Sequence, residues 1–209
     1  VSSTNYNLSG VTSGSGSTTL AGVVFNKGVT TVTWTVSDAA GNTGTCSFTV
    51  TVNDDDAPTV SCPGNQSRGT TAPNCTYTAS GSEFDPTGSS DNCGVTATNY
   101  ALSGATTASG SNSLSGVVFN SGVTTVTWTV SDAAGNTGTC SFTVTVTDND
   151  APSVVCPSDK TRGTTAPACT YTASGTEFDP VSSSDNCGVT STTYSLSGVT
   201  SGTGSTTLA

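Results

Sequence analysis

Residues 28–52 read GVTTVTWTVSDAAGNTGTCSFTVTV, and the same letters return at residues 122–146. Apolar residues and threonines alternate on both sides of residues 37–42, which are rich in Asp, Gly and Asn. Alternation with period 2 is typical of strands with one buried face, and Asp, Gly and Asn favour turns. The stretch therefore predicts a β-hairpin. The side chains expected on its apolar face are those of Val32, Trp34, Val36, Cys46, Phe48, Val50 and Val52.

The whole chain repeats with a period of 94 residues. This distance separates matching cysteines and tryptophans, namely Cys46/Cys140, Cys62/Cys156, Cys75/Cys169, Cys93/Cys187 and Trp34/Trp128. A unit of this length suits one β-sandwich domain. Residues 1–21 match both 95–115 and 189–209. We therefore expect the chain to be a window of a longer array, because half a sandwich cannot bury its own core.

Two short acidic linkers, at residues 53–58 and 147–152, mark the boundaries between repeats. We predict that residues 1–56 form the C-terminal part of one repeat, 57–150 a complete repeat, and 151–209 the N-terminal part of the next. In the complete repeat we expect strands over 59–62, 75–80, 95–102, 113–119, 123–131 and 139–146, with a loop or weak edge strand at 103–110. Short strands separated by turn residues indicate an all-β fold of tandem immunoglobulin-like β-sandwiches.

Composition excludes several function classes. The net charge of −10 argues against nucleic acid and anionic membranes as partners, and no apolar run is long enough for membrane insertion. Without histidine, a serine or cysteine nucleophile lacks its usual base, so we expect no enzyme and no catalytic residues. Eight regularly spaced cysteines without histidine favour disulfides over zinc, and hence an oxidising compartment, outside the cell or in a periplasm. Of these we expect an extracellular location at the cell surface.

The repeated motifs resemble those of a known family. They include DxDAPxVxCP, Cys-x-Tyr, Asp-Asn-Cys-Gly, Phe-x-x-Gly-Val-Thr-Thr-Val-Thr-Trp, Asp-x-x-Gly-Asn and Cys-x-Phe-x-Val-x-Val. This pattern resembles the hyalin repeat (HYR) domain, whose most specific motif falls on Phe119, Gly122, Asp132, Gly135, Asn136 and Cys140. Near-identical tandem copies are similar to the stalks of very large cell-surface adhesins of Bacteroidota, some of which serve gliding motility. The resemblance implies an immunoglobulin-like fold and a role in adhesion.

The cysteine positions within a sandwich favour one pairing. Cys62 and Cys140 share strand faces with core residues on the first and last strands, which run side by side in this fold, so we predict a Cys62–Cys140 bond. That leaves Cys75–Cys93 and its copy Cys169–Cys187. A difficulty is that Cys75 and Cys93 open strands at opposite poles. Cys75–Cys140 with Cys62–Cys93 therefore stays open as an alternative. Cys46 and Cys156 are expected to be unpaired within this chain.

Acidic residues concentrate where a linker meets two loops of the next repeat. Seven carboxylates at one pole would repel one another unless a cation lay among them, and Ca²⁺ prefers six to eight oxygen ligands. The seventh is that of Asp55, which ranks below Asp54 and Asp56 as a ligand because the second linker has Asn149 in its place. The linkers also resemble the Asp-rich, Ala-Pro-ending junctions of cadherins. Turn formation and capping by the same side chains is the alternative. The predicted calcium ligands are Asp54, Asp56, Glu83, Asp85, Asp91 and Asp132 at one junction, and Asp148, Asp150, Glu177, Asp179 and Asp185 at the next.

These features predict a structural spacer. Disulfide-locked repeats would hold an adhesive region away from a cell surface. We expect each repeat to contact only the neighbouring repeats of the same chain, and other parts of the protein to bind an extracellular surface or glycan. The alternative is a multivalent module in which each repeat binds glycan or protein weakly. Trp128 shares its face with Val126 and Val130, which predicts a core position rather than sugar stacking. Lateral self-association of threonine-rich edge strands is a further open possibility.

Overall fold

A computed structural model describes residues 1–207, and all its regular elements are strands. The first part of the chain contains β1 Ser3–Gly10, β2 Gly14–Ser17, β3 Gly28–Ser37 and β4 Thr43–Val52. The middle part contains β5 Thr59–Ser61, β6 Gln66–Gly69, β7 Thr76–Thr78, β8 Gly88–Ser90, β9 Val95–Gly104, β10 Ala108–Ser111, β11 Val118–Asn120, β12 Gly122–Asp132 and β13 Thr137–Thr147. The last part contains β14 Ser153–Val155, β15 Ser182–Ser184, β16 Ser191–Leu196 and β17 Gly202–Thr207. Over residues 1–207 the chain has no helix that could cross a membrane.

The predicted hairpin is confirmed as the antiparallel pair β3–β4. Trp34 lies opposite Cys46 and Val32 opposite Phe48, as the alternation requires. The turn is closed by Asp38, whose Oδ1 accepts hydrogen bonds from the backbone N–H groups of Ala40 and Asn42, both at 2.9 Å. The hairpin belongs to a four-stranded sheet with the order β2-β1-β3-β4.

The same hairpin recurs as β12–β13 at the centre of a five-stranded sheet with the order β10-β9-β12-β13-β6. Strand β6 pairs in parallel with β13 and forms one edge of this sheet. The sequence did not predict a strand at residues 66–69. Two short pairs supply the remaining strands of this repeat: β7 with β11, which is antiparallel, and β5 with β8. The all-β, immunoglobulin-like fold class is therefore confirmed.

One strand prediction is confirmed and one needs correction. The weak edge strand that was the alternative to a loop at residues 103–110 is present as β10, because Ala108–Ser111 pairs with β9 at the edge of the sheet. The strand predicted over 113–119 exists only at its end as β11. Its first half instead turns inward, where the backbone N–H of Leu114 donates to Asp85 Oδ1 at 2.8 Å and the Leu114 side chain is buried. A buried leucine anchored by a carboxylate replaces the regular strand there.

Distances between Cα atoms divide the chain into two compact units, and the predicted repeat limits at 56/57 and 150/151 stay predictions. One unit joins Val1–Val60, Ser89–Thr98 and Thr129–Thr139, and the other joins Ser61–Gly88, Asn99–Trp128 and the chain from Cys140 onward. The second unit holds the main core. Its buried members are Ala79, Phe84, Leu102, Leu114, Phe119, Val126, Trp128, Phe142, Val144 and Val146. Buried apolar residues of the first unit include Leu8, Val32 and Val130.

Trp128 lies at the centre of that main core. Its side chain is completely buried, and its indole N–H donates to the carbonyl oxygen of Phe84 at 3.0 Å. The ring of Tyr100 meets it edge-on at 5.4 Å between centroids, and Phe84 meets Phe119 in the same manner at 5.3 Å. Edge-to-face packing adds to the burial of each ring. The prediction of a core tryptophan is confirmed.

Two valines on β12 provide a direct test of this core. Val126 is 0% exposed and Val123 is 54% exposed, although both are valines of one strand. Val126→Ala should lower the free energy of unfolding by about 2 kcal/mol or more, since it removes buried methyl groups and leaves a cavity. Val123→Ala should cost less than about 1 kcal/mol. Urea unfolding followed by Trp128 fluorescence, in a Trp34→Phe background, measures both. Equal losses would contradict the described packing.

Candidate functional site: the disulfides and the acidic clusters

The first disulfide closes the complete repeat on itself. Cys62 and Cys140 are bonded, with Cα atoms 5.7 Å apart, so this prediction is confirmed. Both side chains pack against the main core. The bond links Cys62, which directly follows β5, to Cys140 in the first half of β13, over a sequence separation of 78 residues.

The second disulfide corrects the predicted pairing. Cys75 is bonded to Cys187, with Cα atoms 4.7 Å apart and a sequence separation of 112 residues. The predictions of Cys75–Cys93 and Cys169–Cys187 are therefore wrong, as is the alternative that joined Cys75 to Cys140. By the 94-residue repeat, Cys187 is the counterpart of Cys93 one repeat further along. The bond thus joins one repeat to the next.

The position of Cys75 along the sheet explains this outcome. Its carbonyl oxygen accepts a hydrogen bond from the backbone N–H of Ser121, immediately before β12 begins. The loop of Cys93 precedes β9, whose Thr96 donates its hydroxyl to the carbonyl oxygen of Ser131, near the end of β12. An 11-residue strand is roughly 35 Å long, far beyond the reach of a disulfide. Cys75 can therefore bond only a cysteine that lies near the same end of β12 as Cys75 itself.

Four cysteines have no disulfide partner among the residues described, and all four are exposed: Cys46, Cys93, Cys156 and Cys169. Two of them, Cys46 and Cys156, were expected to be unpaired. The thiol of Cys93 lies beside Asp54. Partial loss of hydration and the negative charge of that carboxylate both raise the pKa of Cys93 above its ordinary value.

Three predicted ligands meet in one place, which we call the first acidic cluster. Carboxylate oxygens of Asp54, Asp91 and Asp132 all lie within 4.8 Å of one another. The linker contributes Asp54, the loop after β8 contributes Asp91, and the end of β12 contributes Asp132. Three segments far apart in the sequence are thus brought together, as the prediction required.

The Asp132 carboxylate is held by its own turn. Oδ1 accepts three backbone hydrogen bonds, from Ala134, Gly135 and Asn136, at 2.7–2.9 Å. The Asn136 side-chain amide donates both to Asp132 Oδ2, at 2.8 Å, and to the Asp54 carbonyl oxygen, at 2.9 Å. Burial raises the pKa of Asp132, but the hydrogen bonds from Asn136 and its neighbours outweigh it and lower the pKa overall. Asp132 therefore combines a turn-forming role with a place in the cluster.

Two buried oxygens in the first acidic cluster have no hydrogen-bond partner. They are Asp54 Oδ1 and Asp91 Oδ1. The Asp54 side chain is 0% exposed, and its other oxygen, Oδ2, accepts a hydrogen bond from Lys27 Nζ at 2.9 Å. This bond raises the pKa of Lys27. A buried carboxylate oxygen without a partner is costly, and a cation would satisfy it.

The second acidic cluster has the same plan one repeat later. Oxygens of Asp148 and Asp185 lie within 4.8 Å of each other and of Cys187 Sγ. Asp185 Oδ2 is buried without a partner, and so is the amide oxygen of the neighbouring Asn186. Cys187 is bonded to Cys75, so its sulfur is not a free thiolate ligand. The oxygens are the donors that remain for a cation.

The other predicted ligands are engaged differently. Asp56 and Asp150 accept equivalent hydrogen bonds, at 2.9 Å, from the side-chain amides of Asn92 and Asn186. Asp85 accepts hydrogen bonds from the hydroxyl of Ser113 and the backbone N–H of Leu114. These contacts fit a structural role for Asp85. Asp179 is exposed.

The two glutamates are tied to arginines. Glu83 forms an ion pair with Arg68 at 2.8 Å and also accepts hydrogen bonds from the hydroxyl of Tyr77 and the backbone N–H of Ser80. Burial raises the pKa of Glu83, but these hydrogen bonds prevail and lower it overall. Glu177 repeats the arrangement with Arg162, at 3.0 Å. With their oxygens already satisfied, neither glutamate has the unpartnered oxygen that marks the two clusters.

Sequence reasoning missed Lys27 and Asn136. Lys27 was visible as a difference between copies, because the equivalent position is Ser121. Asn136 was recognised only as a turn residue, whereas its amide also fixes the linker at Asp54. In both cases the signal was present in the sequence, but which distant carboxylate the side chain contacts depends on the fold.

The chain was compared with known proteins. The family model of the HYR domain matches residues 3–52 and 53–146, which is more than half of the chain. No curated protein sequence matches it significantly. HYR domains are extracellular, non-enzymatic repeats of the adhesion type. The two matched segments include both copies of the hairpin and the cysteines of the Cys62–Cys140 bond. The chain belongs to the HYR domain family.

Proposed function

We propose that this chain is part of a spacer in a large extracellular adhesion protein, of the kind found as stalks in Bacteroidota adhesins, and that it holds a distal adhesive region away from the cell surface. The observation that carries the proposal is the Cys75–Cys187 bond, which joins one repeat covalently to the next. A spacer must transmit force without lengthening, and such a bond limits lengthening even when a repeat unfolds.

The two disulfides act together on a stretched chain. A pulling force that enters the complete repeat reaches Cys62, follows the short segment to Cys75, and crosses to Cys187. The chain between Cys75 and Cys187, which spans a sequence separation of 112 residues, then carries no load. The Cys62–Cys140 bond closes most of the complete repeat over 78 residues and keeps its two end strands together. The central region of the chain is therefore protected from extension.

We further propose that Ca²⁺ binds at the two acidic clusters and fixes each linker to the loops that follow it. Support comes from Asp54 Oδ1 and Asp91 Oδ1 in the first cluster, and from Asp185 Oδ2 in the second, which are buried oxygens without partners. Carboxylate and carbonyl oxygens suit a hard cation such as Ca²⁺. Lys27 already neutralises part of the negative charge at Asp54, so less negative charge in the first acidic cluster is left for the ion to neutralise.

Multivalent binding of glycan or protein is not favoured by any specific observation. The tryptophan of the complete repeat, which could have stacked on a sugar, is completely buried. Lateral self-association of edge strands also stays a prediction. The spacer proposal therefore places any adhesive ligand on other parts of the protein.

Single-molecule pulling tests the spacer proposal. When the fully stretched oxidised chain is reduced, its length should increase by roughly 370–400 Å, because 112 residues at about 3.3–3.6 Å each are released. In Cys75→Ser only the loop of 78 residues is released, which gives roughly 260–280 Å. Cys169→Ser, a change at the equivalent but unpaired cysteine, is the control and should behave as the unmodified chain. An equal gain for Cys75→Ser and the unmodified chain would contradict the force path.

Calorimetric titration with Ca²⁺ tests the ion proposal separately. Asp91→Asn should weaken binding at the first acidic cluster at least about tenfold, since it removes one of few charged ligands. Asp55→Asn is the matched control, because Asp55 is exposed and the second linker already has Asn149 at that position. It should leave the affinity unchanged. Absence of any Ca²⁺ heat, or equal effects of both substitutions, would count against the site.

A further inference from the structure

Lys27 lies at the open end of the first hairpin. It directly precedes β3, and Asp54 lies just beyond the end of β4, where Gly28 and Val52 pair across the hairpin. This pairing brings the lysine next to the linker. Lys27 Nζ donates a hydrogen bond to Asp54 Oδ2 at 2.9 Å, and the Asp54 side chain is 0% exposed. The chain itself therefore supplies a positive charge to the first acidic cluster.

The lysine satisfies only part of this cluster. Asp54 Oδ1 and Asp91 Oδ1 are buried without a hydrogen-bond partner. Both oxygens of Asp132, by contrast, accept hydrogen bonds from its own turn. The carboxylates lie so close together that an ion bound at the unpartnered oxygens would be near the ammonium of Lys27. Two cations at such a separation repel each other, and the repulsion is stronger in a partly buried site than in water.

The next repeat has the same backbone at this place but no lysine. The equivalent of Lys27 is Ser121. The glycines that follow these two residues, Gly28 and Gly122, have φ values of 115° and 119°. The Ser121 hydroxyl donates to the carbonyl oxygen of Val146 at 3.4 Å, and not to a carboxylate. The backbone therefore does not require a lysine here, and the role of Lys27 lies in its charge.

The second acidic cluster shows the carboxylates without such a lysine. Asp148, the equivalent of Asp54, accepts hydrogen bonds from the Thr70 hydroxyl at 3.4 Å and from the backbone N–H of Asp150 at 3.1 Å. Over the part of the chain that the structure describes, neither Asp148 nor Asp185 forms an ion pair with a lysine or arginine. The two junctions thus differ in one charged side chain.

We infer that Lys27 is a tethered cation, which holds the linker on the first acidic cluster in the absence of Ca²⁺ and lowers the affinity of this cluster for Ca²⁺. The ammonium occupies Asp54 Oδ2 and so removes one oxygen from the donors available to an ion. A junction with lysine at this position stays closed at low calcium, whereas a junction with serine depends on the ion. The inference rests on the proposed calcium binding and specifies how one junction is regulated.

Calorimetric titration with Ca²⁺ tests the effect on affinity. The reference chain is the full chain with Asp148→Asn and Asp185→Asn, which leaves the first acidic cluster as the site measured. Lys27→Ser, which introduces the residue of the next repeat, should raise the Ca²⁺ affinity at least about tenfold, because it removes a repelling charge. Lys27→Met should do the same, since it removes the charge but keeps most of the side-chain length.

The matched control is Lys160→Ser. Lys160 is the other lysine of the chain, it is exposed, and it forms no ion pair among the described residues. This substitution should leave the Ca²⁺ affinity of the reference chain unchanged.

Thermal unfolding tests the tethering itself. In EDTA, Lys27→Ser should unfold about 2–4 °C or more below the reference chain, because Asp54 then buries both oxygens without a partner. Saturating Ca²⁺ should raise the unfolding temperature of Lys27→Ser more than that of the reference chain, since the tighter site gains more from the ion.

The possible failures are distinguishable. Equal Ca²⁺ affinities of Lys27→Ser and the reference chain would overturn the inference and leave the calcium proposal standing. Absence of binding in both would overturn the inference together with the calcium proposal. A gain in affinity for Lys27→Ser but not for Lys27→Met would assign the effect to side-chain size and not to charge, which also contradicts the inference. So would equal unfolding temperatures of Lys27→Ser and the reference chain in EDTA.

Discussion

Cys75 and Cys187 are 112 residues apart in the sequence, yet a covalent bond holds their Cα atoms 4.7 Å apart. The bond fixes residues 185–188 of one repeat against residues 70–75 of the preceding one. Asn186 adds hydrogen bonds to both Thr70 and Asn74 at the same contact. Because the partner cysteine comes from the next repeat, the stability of each repeat is linked to its neighbour, in addition to the nearest-neighbour packing expected of repeat proteins.

Residues at equivalent positions of neighbouring repeats differ widely in burial. Phe84 is 1% exposed in the complete repeat, whereas its counterpart Phe178 is 45% exposed. Phe142 is 4% exposed, and its counterpart Phe48 is 47% exposed. The sequences around these residues are nearly the same, so the difference arises from the strands that cover them. A sandwich core needs apolar faces from both ends of the 94-residue unit.

Much of the fold followed from the sequence because alternation, turn residues and repetition are local signals. The hairpin at residues 28–52, the central strands β12 and β13, and the core position of Trp128 were all predicted. The junction of Asp54, Asp91 and Asp132 was also predicted as a meeting of three segments. The partner of Cys75 was not, because four cysteines in each unit already allow several pairings within one repeat, and the periodicity does not reveal a bond between repeats. The ion pair between Glu83 and Arg68 was not predicted either. The two residues are 15 positions apart in the sequence, and composition does not reveal that the fold brings them into contact.

The central claim is that neighbouring repeats are joined covalently through Cys75 and Cys187. Cleavage after acidic residues and after arginine under non-reducing conditions tests it directly. Arg68 separates Cys62 from Cys75, Glu83 and Asp91 separate Cys75 from Cys93, and Glu177 separates Cys169 from Cys187. Mass spectrometry of the oxidised chain should identify one linked pair of peptides that contains Cys75 and Cys187. A linked pair that contains Cys75 and Cys93 would contradict the account.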